Sequence, residues 1–137
     1  MIAIIDSGGA NIASVQFALE RLGAESVLTK DVKIIQSADK VLLPGVGAAP
    51  IAMQNLAEYE LIDCIRGLTQ PVMGICLGMQ LLFAVSPEGN TPLLGIFDAD
   101  CETFTPAQGR SVPHMGWNRL SKQQDHPLLA GVDEGAH

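Results

Sequence analysis

In QPVMGICLGMQLLF, residues 70–83, a single cysteine, Cys76, stands between Gly74 and Gly78 where an apolar run gives way to the first turn of a helix. A strand-to-helix elbow forces its residue into a strained backbone conformation and lifts the side chain above the sheet. Backbone crowds such an elbow, so its neighbours must be small, and the two glycines meet that demand. A helix starting there points its partial positive end at the sulfur and favours the thiolate, the form of a cysteine that attacks carbonyl carbon. The N–H of Leu77, the next residue, is expected to donate to an oxyanion. The competing reading is a buried structural cysteine whose glycines serve only tight helix–strand packing. Cys64 and Cys101 lack this setting and read as core or incidental residues.

An elbow needs a sheet beneath it. The β-branched run at residues 2–6 ends in Ser7-Gly8-Gly9-Ala10, and Ile12, Val15, Leu19 and Leu22 then follow at helical spacing with Gly23 as the stop. Asn11 is the expected N-cap. A weak strand over 25–29, a polar link, and a third apolar run over 40–44, closed by Pro44-Gly45-Val46-Gly47, come next. Residues 49–68 read as helical material in two pieces, 71–75 as the fourth strand, and 77–83 as the start of another helix. Beyond Ser86 the turn-rich text predicts hairpin strands or loops. This rhythm predicts an α/β fold, a mostly parallel sheet wrapped by crossover helices, with ligands gathering at the carboxyl ends of the strands. The glycine-bearing turns 7–11, 44–47 and 74–78 fall at those ends.

The chain of 137 residues is one domain's worth, and 47% apolar residues suffice for a core. A formal charge of −7 argues against nucleic acid or an anionic membrane as partner. No apolar run approaches the roughly 18–20 residues of a membrane span, and the opening MIAIID is too short and too soon acidic for a signal peptide. A cytoplasmic location is expected. The three cysteines, with eleven and twenty-four residues between them, match no zinc or redox spacing, and neither a disulfide framework nor a metal site is expected.

Four stretches carry a family resemblance, in family order along the chain. GICLGMQ (74–80) resembles the nucleophile motif of class I, triad-type glutamine amidotransferases, and LPGVGAA (43–49) resembles their oxyanion segment. VPHMGWN (112–118) and the opening IIDSGGANIASV are similar to the branch that serves as glutaminase subunit of imidazole glycerol phosphate synthase. The resemblance implies a doubly wound, flavodoxin-like three-layer fold for a single amidotransferase domain over 1–137, incomplete at its C-terminus. It implies that Cys76 attacks the carboxamide carbon of glutamine to form a thioester, and that Gln80 hydrogen-bonds the substrate. Gly45, Val46 and Gly47 would line the pocket, and a backbone N–H of this turn would join that of Leu77 as the oxyanion hole. Each such donor is worth about 10²–10³ in rate. Taken without the resemblance, PGVG is an ordinary turn. Ammonia would pass to a (β/α)₈ synthase subunit in a heterodimer, serving histidine biosynthesis, with no metal or organic cofactor. His114, Met115, Gly116, Trp117 and Asn118 would face that partner, with Asn11 and Ser14 on the same face. A lone Trp between Gly and Asn otherwise anchors a small core.

A cysteine amidase also needs a histidine to manage protons and a carboxylate to orient it. In the family these belong to a His-Pro-Glu motif, which this sequence lacks. His126-Pro127 is followed by Leu128 rather than an acid, His137 is terminal, and His114 belongs to the partner motif. Loss of general acid–base help costs about 10²–10⁴, so the chain is expected to be inactive alone. Three other readings stay open: a glutaminase serving a different synthase, a non-catalytic interface or regulatory module, and a cysteine hydrolase or chaperone of related fold, in which a histidine rather than Leu77 would follow the cysteine.

Overall fold

A computed structural model describes residues 1–8, 12–109 and 111–136; Asn11 and His137, both named above, lie outside the described residues. The chain divides into two compact units, Met1–Glu102 and Thr103–His137.

In the first unit, β1 (Ile2–Ile5) leads to α1 (Ile12–Arg21), β2 (Ser26–Thr29), α2 (Val32–Ser37), β3 (Lys40–Gly45), α3 (Ala49–Glu58), α4 (Ile62–Arg66), β4 (Val72–Cys76) and α5 (Leu77–Gln80). A two-residue antiparallel pair, β5 (Val85–Ser86) and β6 (Thr91–Pro92), follows. The helix α2 replaces the expected polar link. Asp31 caps it, its Oδ1 accepting from the N–H of Lys33 at 2.8 Å and of Ile34 at 3.3 Å, which satisfies donors that a helix start leaves open. The helix expected over 77–83 is a single turn, because the chain bends after Gln80 toward the β5–β6 pair.

Four parallel strands form one sheet in the order β2-β1-β3-β4. From β1 the chain steps outward to β2, then crosses back over β1 to β3 and on to β4. Right-handed crossovers in opposite directions put α1 on one face of the sheet and α2 to α4 on the other. The alternation of side chains along each strand assigns the faces. Ala3, Ile5, Val41 and Leu43 share a core with Ile35, Leu56 and Ile65. On the opposite face Leu42, Met73 and Ile75 line an apolar groove of about 660 Å³ with Val15 and Leu19 of α1 and Leu22 just beyond it. α1 fully buries none of its described side chains, so this face is covered far less than the other. Arg66 donates from its guanidinium to the carbonyls of Leu93 and Leu94, fixing to α4 the segment whose two leucines enter the core.

Two backbones meet behind the elbow. A Cβ at Gly78 would fall 1.7 Å from the Leu43 carbonyl oxygen, and one at Gly74 would fall 2.5 Å from Met79 Cα. Both positions exclude any side chain.

The second unit is mostly irregular. His126 caps its 3-10 turn, Pro127–Leu129, with Nδ1 accepting from the Leu128 N–H at 3.2 Å. Leu120 donates its N–H to the Ala136 carbonyl and accepts from Gly135. Residues 111–122, expected as hairpin strands or loops, are loops.

Gly78→Ala is expected to lower stability by about 3 kcal/mol or more, since backbone on both sides would have to move. Chemical denaturation checks this, and an unchanged midpoint contradicts it.

Candidate active site

Cys76 ends β4 with φ 56° and ψ −120°. Left-handed φ in a non-glycine residue costs about 1–3 kcal/mol and persists only where surroundings enforce it. Here the enforcement is visible. The ladder holds Cys76 opposite Gly45 on β3, and the next turn is pressed against Leu43 through Gly78. The sulfur-bearing residue is exposed, whereas Leu77 is buried at 3% exposure. The elbow therefore presents the cysteine and anchors itself with the leucine. The buried structural reading of Cys76 does not describe this geometry. Because α5 is only four residues long, the field at the sulfur is that of a few open N–H groups rather than a long helix.

The turn 44–47 lies beside the elbow. A Cβ on Gly45 would fall 2.9 Å from Gly78 N and 3.1 Å from Leu77 Cβ, so the two segments touch through glycine. Gly47 has φ 102° with open space around it, and Val46 is 43% exposed. Pro44, Gly45, Val46 and Cys76 share the end of the groove described above. Both ends of the turn are held. Ser7, buried after β1, donates its hydroxyl to the Pro44 carbonyl at 3.2 Å, and Glu88 Oε2 accepts from the Ala49 N–H at 2.9 Å. Asn55 Nδ2 donates to the Ser7 carbonyl at 3.0 Å, so Ser7 joins the same scaffold. Lys30 Nζ sits 3.6 Å from both Asp6 Oδ2 and the centre of the Tyr59 ring, and its contact with Tyr59 first, then the Asp6 carboxylate, raises its pKa.

Gln80 is half-buried, and its Nε2 donates to Ser86 Oγ at 2.8 Å. Ser7, Ser86 and Glu88 are functional candidates that sequence reasoning missed. Their partners lie 37, 6 and 39 residues away, and no local pattern marks such pairs. Of the other thiols, Cys64 is buried, which pushes its pKa up; Cys101 is pushed up by burial first and then by the Asp100 and Glu88 carboxylates.

The remaining predicted residues fall on α1 and in the second unit. Ser14 is exposed on α1 and lines the groove. In the second unit His114 Nε2 and Asn118 Nδ2 pair at 2.6 Å, while Met115 and Trp117 are 84% and 89% exposed. Trp117 is thus not a core anchor. Among the described residues no three His, Cys, Asp or Glu side chains gather as a metal site, and no helix is long and apolar enough to cross a membrane.

The family model for class-I glutamine amidotransferases matches residues 3–136. The chain belongs to this family. Among curated relatives, the imidazole glycerol phosphate synthase subunit HisH of Mannheimia succiniciproducens is 48% identical, over 98% of this chain and 69% of that protein. The proteins of the same name from Xanthomonas axonopodis pv. citri and Xylella fastidiosa are 50% and 51% identical, each over 68% of its own length. A crystal structure described as a glutamine amidotransferase superposes with a TM-score of 0.61 at 20% identity, over 72% of this chain and 53% of that one. That likeness bears on the fold, and it agrees with the parallel sheet.

If the elbow stores strain, Cys76→Gly relieves it and Cys76→Ala does not. The glycine variant is expected to be more stable than the alanine variant by about 1 kcal/mol. Paired denaturation curves decide; an alanine variant equal or superior in stability would mean that the backbone is relaxed.

Proposed function

We propose that this chain is the glutaminase subunit of an imidazole glycerol phosphate synthase. The single observation that carries the reading is an exposed cysteine at positive φ, set beside the glycine turn 45–47 in a class I amidotransferase. Cys76 attacks the carboxamide carbon of glutamine, the N–H of Leu77 and a backbone N–H of the turn receive the developing negative charge, and ammonia leaves from the thioester-forming adduct. Water then releases glutamate. Stabilisation of the oxyanion by such donors is commonly the largest electrostatic contribution in acyl transfer. Gly45, Val46 and Gly47 line the glutamine pocket, and Gln80 holds the substrate from the helix side.

The partner is a (β/α)₈ synthase subunit that consumes the ammonia in histidine biosynthesis, and the complex is a cytoplasmic heterodimer. Exposure of Met115 and Trp117 supports a docking role for residues 114–118, because large aromatics are frequent anchors at the centres of interfaces. The unit that bears Cys76 contains no histidine. In the other unit, the ring of His126 caps a turn and that of His114 is paired with Asn118. Alone, this chain therefore supplies a nucleophile and oxyanion donors without an assigned base, and its glutamine turnover is expected to fall short by about 10²–10⁴.

A chloroketone shaped like glutamine tests the site without requiring turnover. Attack by the Cys76 sulfur forms a thioether and releases chloride. Capture is expected at Cys76 in preference to Cys64 and Cys101, with glutamine protecting. Equal modification of the three thiols, or no protection, favours a non-catalytic module. Trp117→Ala is expected to weaken binding to the synthase subunit by tenfold or more, about 1.4 kcal/mol, with little change in melting temperature. Titration calorimetry against that subunit measures the effect; a destabilised variant that binds normally would return Trp117 to a packing role.

A further inference from the structure

A chain of polar contacts links the helix after the nucleophile to the helix after the glycine turn, and Ser86 is its centre. Ser86 is fully buried at 0% exposure. Its Oγ accepts from Gln80 Nε2 at 2.8 Å and from the Glu88 N–H at 3.2 Å. Glu88 in turn accepts the Ala49 N–H on Oε2 at 2.9 Å, and its carbonyl accepts the Thr91 hydroxyl. Ala49 opens α3, whose N-cap residue is Ala48, with no side-chain oxygen to offer. Alanine is among the poorest N-caps, so the carboxylate of Glu88 takes that place from 39 residues away and meets the positive end of the helix. The residues immediately before Ala48 are Gly45, Val46 and Gly47.

We propose that Ser86 is a positioning residue for glutamine capture, holding the amide of Gln80 and the Glu88-anchored end of the 45–48 turn in one register with Cys76. This deepens, and rests on, the glutaminase reading above. The physical basis is the double acceptor role of one buried hydroxyl. Replaced by a methyl group, it leaves the Gln80 amide and the Glu88 N–H without this acceptor at a part-buried position. Both groups then shift, and Glu88 carries the start of α3 with it. A displacement on the order of 1 Å at a reacting site costs about 10²-fold.

The experiment compares two reagents at Cys76 in the intact chain. Iodoacetamide is displaced at a saturated carbon with no oxyanion, so it reports the exposure and reactivity of the thiol. The glutamine-shaped chloroketone must also be held by its amino-acid end and carbonyl. Ser86→Ala is expected to slow chloroketone capture at least about tenfold, to leave the iodoacetamide rate within about twofold, and to reduce the exchange protection of the Ala49 amide. Ser86→Thr retains the oxygen and Ser86→Val matches its shape without one. The pair is expected to separate in the same direction, which decides the matter even where Ser86→Ala folds poorly. Selective, glutamine-protected capture in the wild type together with an unchanged reagent ratio in Ser86→Ala and Ser86→Val overturns the positioning role alone. Absence of selective capture in the wild type overturns the glutaminase reading, and this inference with it.

Discussion

The Leu43 carbonyl of β3 lies against the backbone of Gly78, one residue beyond the first position of α5. That contact sets how closely the turn after β4 can approach the neighbouring strand. With the ladder pairing Gly45 to Cys76 on one side and this contact on the other, the chain between them has no relaxed path. Cys76 absorbs the mismatch as a positive φ, and the direction of its side chain follows. Exposure of the cysteine and burial of Leu77 are two sides of one backbone reversal. The strain of about 1–3 kcal/mol is offset by what surrounds it: leucines 77, 81 and 82 enter the core directly after the elbow. The cysteine is thus held in place by residues with no chemistry of their own.

Burial is unequal on the two sides of the sheet. Helices α2 to α4 contribute Ile35, Leu56 and Ile65 to a shared core, whereas α1 leaves Val15 and Leu19 facing a groove with Met73. Each apolar square ångström removed from water is worth about 25 cal/mol, so the first face supplies most of the stability and the second leaves part of its apolar surface in solvent. The end of this groove is where Gly45, Val46 and Cys76 come together. The elbow and the glycine turn are therefore supported from the well-packed side and open toward the thinly covered one, which suits a site that must admit a molecule.

Local chemistry made much of this legible. The β-branched runs gave the strands, Gly23 stopped α1 with a φ of 67°, and the Gly-x-Cys-x-Gly spacing gave the elbow together with the close contacts that make its glycines necessary. The signal for α2 is local: Asp31 stands directly before Val32, with Ile35 one helical turn after it. The short α5 was harder to see, because Leu81, Leu82 and Phe83 continue an apolar run that looks helical until the partners are known. Their carbonyls turn instead toward residues 94–97, with Leu94 donating to Leu81 and Gly95 to Phe83. Tertiary contacts override local propensity there. The anchors Ser7, Ser86 and Glu88 could not have been read at all, since each is defined by a partner brought near by folding.

The separation between holding a nucleophile and managing its protons has a physical logic. Attack on glutamine requires geometry, and the elbow, the glycine turn and its anchors lie within residues 1–102, a stretch that contains no histidine. Departure of ammonia and entry of water require a group that both gives and takes a proton near neutral pH, which is the province of histidine. Oxyanion donors and proton transfer act on different parts of the same barrier, and their contributions are of comparable size: about 10²–10³ for one donor and about 10²–10⁴ for the acid–base group. An exposed elbow beside a glycine turn addresses the geometric part of such a barrier, and a proton-transferring group addresses the other part.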